Sequence, residues 1–234
     1  MGLDGYARGW VAVRLNGAKH ELLFLRSIAE LSAISFDRVG VDMPIGLPER
    51  GERACDLEAR ALLRPHASRV FTGARRGLWD HPSHAEANRI LKQRGEKGVS
   101  VQLWSLGPKI CEVDALLTPR LQARIREVHP ELVFLRLNGG RPLPSKSTRE
   151  GLALRMGLLR AEGLTQVRRW IEVERHKRSK DGVASLTYGS GAKADDVLDA
   201  CAAAIAARDF DSGRVLPRSG AVKDAKRLKM QIWY

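Results

Sequence analysis

The chain has 234 residues, of which 44% are hydrophobic, and it carries 40 Lys and Arg against 27 Asp and Glu. A chain of this size and composition predicts one globular domain over residues 1–234. It contains neither an apolar run of roughly 20 residues nor the apolar centre of a secretory signal, so we expect a cytoplasmic protein without a membrane partner. The net charge of +13 favours a polyanionic partner, although charges solvated on all sides are the alternative.

The first 26 residues predict an antiparallel meander of three strands, at 2–4, 10–15 and 21–26. Asn16-Gly17, between the second and third strands, is a strong signal for a tight β-hairpin. Ser27 and Glu30 have the spacing of a capping box and predict a helix that begins after Ser27. Asp4 therefore lies on the first strand, and a helix leads from the meander to the next strand.

Asp42 ends that next strand, in the stretch VGVDMPIGLP. Val39 and Val41 alternate with smaller residues, and Pro44 ends ladder pairing because it has no N–H. A helical crossover predicts parallel pairing, which makes Asp4 and Asp42 neighbours in the sheet. A carboxylate at the end of an apolar strand needs a partner, and we favour a metal ion there. The alternative is that Asp42 caps the following turn by accepting backbone N–H groups.

Residues 49–106 are rich in Arg, His and Gly, and we interpret them as an insertion in the core fold. Within this insertion, SRVFTGARRG places Arg69, Arg75 and Arg76 around a glycine in a predicted loop. Such a loop suits the binding of nucleic-acid phosphates. A solvated arginine face is the alternative.

Glu127 lies near the end of the next predicted strand, at 125–128, which runs into His129-Pro130-Glu131. This position is similar to that of Asp42, so Glu127 is a further candidate for the site.

Lys146 precedes a predicted helix, and a helix amino terminus that carries Lys146, Ser147 and Thr148 suits a phosphate. The alternative is an ordinary cap formed by Ser147 or Thr148. The strongly basic stretch 167–180 suits either a surface helix or a contact with nucleic acid.

The last strongly patterned element is the helix ADDVLDACAAAIAAR. At about 100° per residue, Asp195 and Asp196 lie about 40° and about 60° from Asp199, so all three can face one place. The run of alanines lets this helix approach the sheet closely. Acidic residues in the first turn are also simply good partners of the helix dipole, which explains Asp195 or Asp196 more easily than Asp199.

Taken in order, these motifs resemble a family of uncharacterised proteins described as predicted RNase H-like nucleases. The quoted motifs are GLDGYARGWVAV, VGVDMPIGLP, ACDLEARALL, SRVFTGARRG, QLWSLGPKICEVDALL, REVHPELVF, SKSTREGLALRMGLL and ADDVLDACAAAIAAR, and they cover nearly the whole chain. The resemblance implies an α/β, ribonuclease H-like fold, in which helices flank a mixed sheet of an antiparallel meander and parallel strands. It also implies acidic residues around a divalent metal, and makes Glu127 of the EVHPE motif functional. A plain ribonuclease H core takes its second acid from the first helix instead, which leaves the ligand set open.

Together, the residues and the resemblance predict a metal-dependent nuclease that cleaves phosphodiester bonds. We expect Asp4, Asp42 and Asp196 or Asp199 to bind one or two Mg²⁺ or Mn²⁺ ions, with Glu127 as a further candidate. Hard oxygen ligands suit these ions, and the chain has no CxxC pair to indicate zinc. In such sites two metals, about 3.5–4 Å apart, activate a water and stabilise the leaving oxygen.

Two other functions remain open at this stage. A non-catalytic nucleic-acid-binding protein explains the net charge of +13 without a metal site. A phosphotransferase of the related actin-like fold would carry an Asp after its first strand, but it requires Gly-rich phosphate loops and a duplicated domain.

Overall fold

The computed structural model describes residues 1–172 and 191–234, and these form two compact units. The first unit comprises Met1–Met43, Arg124–Arg214 and Trp233–Tyr234, and the second comprises Pro44–Ala123 and Val215–Ile232. Residues 173–180 of the basic stretch lie outside the described residues.

The regular elements are distributed over both units. The strands are β1 (Gly2–Tyr6), β2 (Gly9–Asn16), β3 (Lys19–Leu25), β4 (Val39–Val41), β5 (Ile125–Glu127), β6 (Val215–Leu216) and β7 (Ile232–Trp233). The α-helices with defined bounds are α1 (Ala54–Leu62), α2 (His84–Gln93), α3 (Val101–Ser105), α4 (Gly107–Leu116), α5 (Pro119–Gln122), α6 (Pro130–Leu137), α7 (Arg149–Ala161) and α8 (Ala194–Arg208). Short 3-10 helices lie at Ile28–Ala33, Ala67–Arg69 and Leu78–Asp80. No helix in the described parts of the chain is long and apolar enough to cross a bilayer.

The first unit is built on a mixed five-stranded sheet with the order β3-β2-β1-β4-β5. The first three strands pair antiparallel, whereas β4 pairs parallel with both β1 and β5. An antiparallel meander extended by parallel strands is the α/β arrangement that the sequence predicts. The predicted adjacency of the Asp4 and Asp42 strands is therefore confirmed.

The turn between β2 and β3 follows the hairpin signal closely. Asn16 pairs with Lys19, so the two loop residues are Gly17 and Ala18, and Gly17 has a φ of 55°. Glycine adopts such a left-handed backbone without steric cost. The following helix differs from the prediction, because Ser27 caps a short 3-10 helix by accepting a hydrogen bond from the N–H of Ala29.

Helix α8 packs directly on the backbone of the sheet. A Cβ atom added to Gly2 would lie 2.0 Å from the backbone N of Ala204. One added to Gly40 would lie 2.5 Å from the carbonyl oxygen of Ala203. The small residues on both sides therefore allow backbone-to-backbone contact, and the predicted close approach of the alanine-rich helix is confirmed.

The second unit contains α1 to α5 and has buried ion pairs and hydrogen bonds beside its apolar core. Arg53 and Asp56 form a buried salt bridge in the first turn of α1. The carboxylate of Asp224 accepts hydrogen bonds from the backbone N–H groups of Leu47, at 3.0 Å, and Leu228, at 2.8 Å. These contacts tie the segment after Pro44 to the C-terminal segment of the same unit. The stretch 49–106 lies within this unit.

Candidate functional site

Asp4, in the middle of β1, and Asp42, directly after β4, lie side by side on two parallel strands. Leu3 of β1 is opposite Val41 of β4, and the N–H of Asp42 donates a hydrogen bond of 2.9 Å to the carbonyl oxygen of Leu3. Asp4 is therefore the neighbour of Asp42 in the ladder. The side chain of Asp4 is almost completely buried and that of Asp42 is half-buried.

Asp199 reaches the same place from the helix that covers the sheet. It lies more than one turn into α8 and is buried, as its neighbours in the alanine run are. Its charge contributes to raising the pKa values of both Asp4 and Asp42. The close contact between α8 and the sheet thus brings a third carboxylate to the two on the strands.

Glu127 extends this acidic cluster on the other side of β4. It pairs in register with Val41 and is buried at the end of β5. Its carboxylate is one of the charges that raise the pKa of Asp42. The structure therefore brings Asp4, Asp42, Glu127 and Asp199 to one region of the first unit.

Burial and mutual repulsion perturb the carboxyl groups of this cluster strongly. Burial raises the pKa of Asp4 well above its ordinary value, and the charges of Asp42 and Asp199 raise it further. The pKa of Asp42 is raised in the same way, by burial first and then by Asp199, with Lys146 acting in the opposite direction. Such shifts mean that the charged forms are poorly compensated in the folded protein.

Asp196, by contrast, is engaged in capping α8. Its Oδ2 accepts a hydrogen bond of 2.6 Å from the backbone N–H of Lys193. Burial raises its pKa to about 6, although this hydrogen bond acts in the opposite direction. The alternative of an acid that serves the amino terminus of the helix therefore fits Asp196, whose Oδ2 accepts from a backbone N–H there, whereas Asp199 lies further into α8.

Lys146 adds a positive charge to the cluster. Its ammonium group forms an ion pair with Oδ2 of Asp199 and lies 3.5 Å from Oδ2 of Asp195. Burial alone would lower the pKa of Lys146, but the charge and hydrogen bond of Asp199 raise it above its ordinary value. Thr148 caps α7 by accepting a hydrogen bond of 3.0 Å from the N–H of Gly151. Lys146 thus points into the acidic cluster, and the simple cap at Thr148 is the one observed.

Glu131 and Arg155 form a buried ion pair that we did not predict from the sequence. Arg155 on α7 is completely buried and donates to both oxygens of Glu131, each at 2.8 Å. Its other amino group donates to the carbonyl oxygens of Pro144 and Gly151. An arginine within the apolar stripe of a helix was the available sequence signal. Although Arg155 pairs with it, the charge of Glu131 is among those that raise the pKa values of Asp42 and Asp199.

The donor chemistry of the cluster fits a divalent cation. Asp199 Oδ1 is buried and has no hydrogen-bond partner among the residues that the structure describes. Buried carboxylate oxygens without partners are the hard ligands that Mg²⁺ and Mn²⁺ accept. Within residues 1–172 and 191–234, however, no three acidic, His or Cys side chains already converge as ligands around one point. The ammonium of Lys146 is instead the positive charge that Asp199 contacts.

Comparison with known proteins shows the family. A family model described as a protein of unknown function, DUF429, matches residues 2–222. The chain belongs to this family. No curated protein and no solved structure matches it. The DUF429 match includes every residue of the acidic cluster, and the function has to be inferred from the cluster itself.

The arginines predicted to bind phosphates lie in the second unit of this DUF429 protein. Arg75 is buried and forms an ion pair with Glu96. Arg76 forms ion pairs with Asp114, at 3.1 Å, and with Asp224, at 2.7 Å. Arg69 is half-buried at the end of a 3-10 helix. Arg75 and Arg76 therefore have carboxylate partners within the unit, and phosphate binding by the three arginines stays a prediction.

Proposed function

We propose that this protein is a metal-dependent nuclease of ribonuclease H-like type, which cleaves phosphodiester bonds of nucleic acid. The observation that carries the proposal is the meeting of three buried or half-buried carboxylates from separate elements, Asp4 on β1, Asp42 after β4 and Asp199 on α8. Charges of one sign are rarely gathered in this way for stability alone, because each raises the cost of burying the others.

The electrostatics favour Asp4, Asp42 and Asp199 as the ligands of Mg²⁺ or Mn²⁺. Asp199 offers an unpaired buried oxygen among the described residues, whereas one oxygen of Asp196 is held by the N–H of Lys193. Glu127 is the further candidate, at the end of β5. When bound, such ions activate a water and stabilise the leaving oxygen. The work of the protein is to hold together the carboxylates from β1, from the end of β4 and from α8, and to keep their charges out of bulk water.

The strand order supports the ribonuclease H-like part of the proposal. A three-stranded antiparallel meander, a crossover and a parallel strand beside β1 place the first two acids next to each other. The crossover is a short 3-10 helix, and the acid next to Asp42 on the far side comes from β5. A plain ribonuclease H core takes its second acid from the first helix, so this chain differs from that core in offering Glu127 from a strand.

The net charge of +13 supports nucleic acid as the substrate, since a basic surface gains free energy by releasing counterions from phosphates. The alternative is a nucleic-acid-binding protein without catalysis. The ion pair between Lys146 and Asp199 favours that alternative, because it partly balances the cluster without a metal ion.

A cleavage assay with matched variants tests the proposal. Wild-type protein should cleave at least one substrate in a panel of single- and double-stranded DNA and RNA with Mg²⁺ or Mn²⁺, and none in chelator. Asp42→Asn should lose turnover, whereas in chelator its substrate affinity should be nearly that of wild type. Asp211→Asn makes the same chemical change at a side chain that is 81% exposed, and it should cleave as wild type does. Absence of cleavage across the panel, or an active Asp42→Asn protein, would contradict the proposal.

A further inference from the structure

The ion pair of Lys146 joins a solvent-accessible side chain to a buried one. Lys146 lies in the irregular segment between α6 and α7, and its side chain is 37% exposed. The side chain of Asp199 is only 7% exposed. A long flexible stem thus reaches inward from a loop to bring an ammonium group to a buried carboxylate.

This ammonium compensates the cluster only in part. It contacts Oδ2 of Asp199, whereas Oδ1 of the same carboxylate has no hydrogen-bond partner in the described chain. Asp4 and Asp42 are also within the range of its charge. The single positive charge of Lys146 therefore has to balance the negative charges of at least three carboxylates, those of Asp4, Asp42 and Asp199.

A divalent ion and this ammonium would compete for Asp199. Two cations on one carboxylate repel each other, and the repulsion is larger in a partly buried site than in water. The lysine is the one that can leave, because its stem is flexible and a third of its side chain already contacts solvent.

We propose that Lys146 is an exchangeable internal counter-cation: it pairs with Asp199 in the metal-free protein, is displaced by a divalent ion, and then pairs with a phosphate of the substrate. This inference rests on the proposed function, since it requires a divalent ion at Asp199. Metal and substrate are thereby coupled. A phosphate that holds the displaced ammonium removes the competitor of the metal, and by reciprocity the metal strengthens phosphate binding.

Calorimetric titration with Mn²⁺ alone tests the competition without using activity. Lys146→Met keeps a stem of similar length without the charge and should bind Mn²⁺ on the order of tenfold more tightly than wild type. Lys19→Met loses the same charge at a side chain on β3 that is 75% exposed, and its Mn²⁺ affinity should match wild type.

Acetylation of wild-type protein tests the displacement even if Lys146→Met does not fold. The reactivity of each lysine is measured by mass spectrometry with chelator and with Mg²⁺. Lys146 should become several-fold more reactive when Mg²⁺ is added, because its ammonium leaves the carboxylate, whereas Lys19 should not change.

The outcomes separate this inference from the proposed function. Wild-type protein that binds neither Mn²⁺ nor Mg²⁺ overturns both. If the wild-type protein binds the metal but Lys146→Met binds it equally or more weakly, only the proposal for Lys146 is overturned. The same holds if the acetylation of Lys146 does not change when Mg²⁺ is added. Tighter binding by Lys146→Met together with a Mg²⁺-dependent rise in Lys146 reactivity establishes it.

Discussion

Asp4 and Asp42 have carboxyl groups whose charged forms destabilise the metal-free protein. Burial and neighbouring carboxylates raise both pKa values well above the ordinary value of 3.8. An acid whose pKa is raised by folding costs stability as the pH rises above its ordinary value, because the unfolded chain ionises it more easily. When the same acid is protonated and neutral, it does not reduce the stability of the folded protein in this way. Lys146 offsets part of the repulsion, and its own raised pKa keeps it charged across this range.

Replacing Asp42 by Asn should therefore leave the metal-free melting temperature unchanged or raise it at neutral pH. The gain should shrink as the pH falls toward 3.8, because Asp42 of the wild type then becomes protonated in the unfolded chain as well as in the folded one. The same variant should lose most of the stabilisation that millimolar Mg²⁺ gives wild type, since only a ligand of the native state raises stability. Thermal melts of both proteins, in chelator and in Mg²⁺ at several pH values, measure these effects.

The opposite pattern would identify Asp42 as a turn cap. Loss of a cap costs roughly 0.5–2 kcal/mol whether or not metal is present. An Asp42→Asn protein that melts lower in chelator, yet keeps the full gain from Mg²⁺, would remove Asp42 from the site.

The positions of Asp42 and Asp199 in their elements were predictable because each follows a strong local pattern, whereas their role as metal ligands stays a prediction. Asp42 ends an apolar strand before a proline, and Asp199 sits one turn inside an alanine-rich helix. Lys146 was predicted to bind a phosphate and not to pair with Asp199, and Arg155 was not assigned, because an ion pair depends on which loop and helix meet in three dimensions. Arg155 and Glu131 are 24 residues apart in the chain, and no periodicity links them.

At the scale of elements, the contact between α8 and the sheet determines where Asp199 lies. The backbone of the helix contacts Gly2 of β1 and Gly40 of β4, the same strands that lead to Asp4 and Asp42. A side chain on either glycine would push the helix outward. The geometry of the site thus depends on glycines that carry no chemistry of their own.

Gly40→Ala should destabilise the fold, because its Cβ would lie 2.5 Å from the Ala203 oxygen and 2.9 Å from a methyl group of Val128. Overpacking of this kind typically costs about 1–3 kcal/mol. Gly157→Ala in α7 is the matched control, since a Cβ there meets nothing within 4 Å. It should be stabilising by roughly 0.5–1 kcal/mol, as alanine is favoured inside helices. Urea unfolding measures both, and equal stabilities would contradict the packing argument.

The elements themselves were predictable to different degrees. The hairpin at Asn16-Gly17 and the alanine-rich helix follow local rules, and both are present. The helix after Ser27 is a 3-10 turn, with Glu30 accepting from the N–H of Arg26. The second unit depends on contacts such as that between Leu47 and Asp224, 177 residues apart, which no local pattern reveals.

At the scale of the whole molecule, positive charge remains in large excess even though many arginines are paired. Arg53, Arg75 and Arg76 form buried or partly buried ion pairs with carboxylates. These pairs fix individual side chains, but the net charge of the chain is still +13. Aromatic residues, which would stack on bases, make up only 6% of the chain. Contacts with phosphates should therefore dominate binding to nucleic acid.

This balance predicts a steep and linear fall of affinity for nucleic acid with salt on a log-log plot. On duplex DNA the slope should be about 0.9 for each phosphate neutralised, because each contact releases condensed counterions. In Mg²⁺, Lys146→Met should reduce the slope by about one contact, whereas the exposed Lys19→Met should change it less. Fluorescence anisotropy on a labelled duplex, from low to high salt, provides the measurement. An affinity that does not change with salt, or no binding at the lowest salt, would rule out nucleic acid as the substrate. The acidic cluster would then require a different substrate.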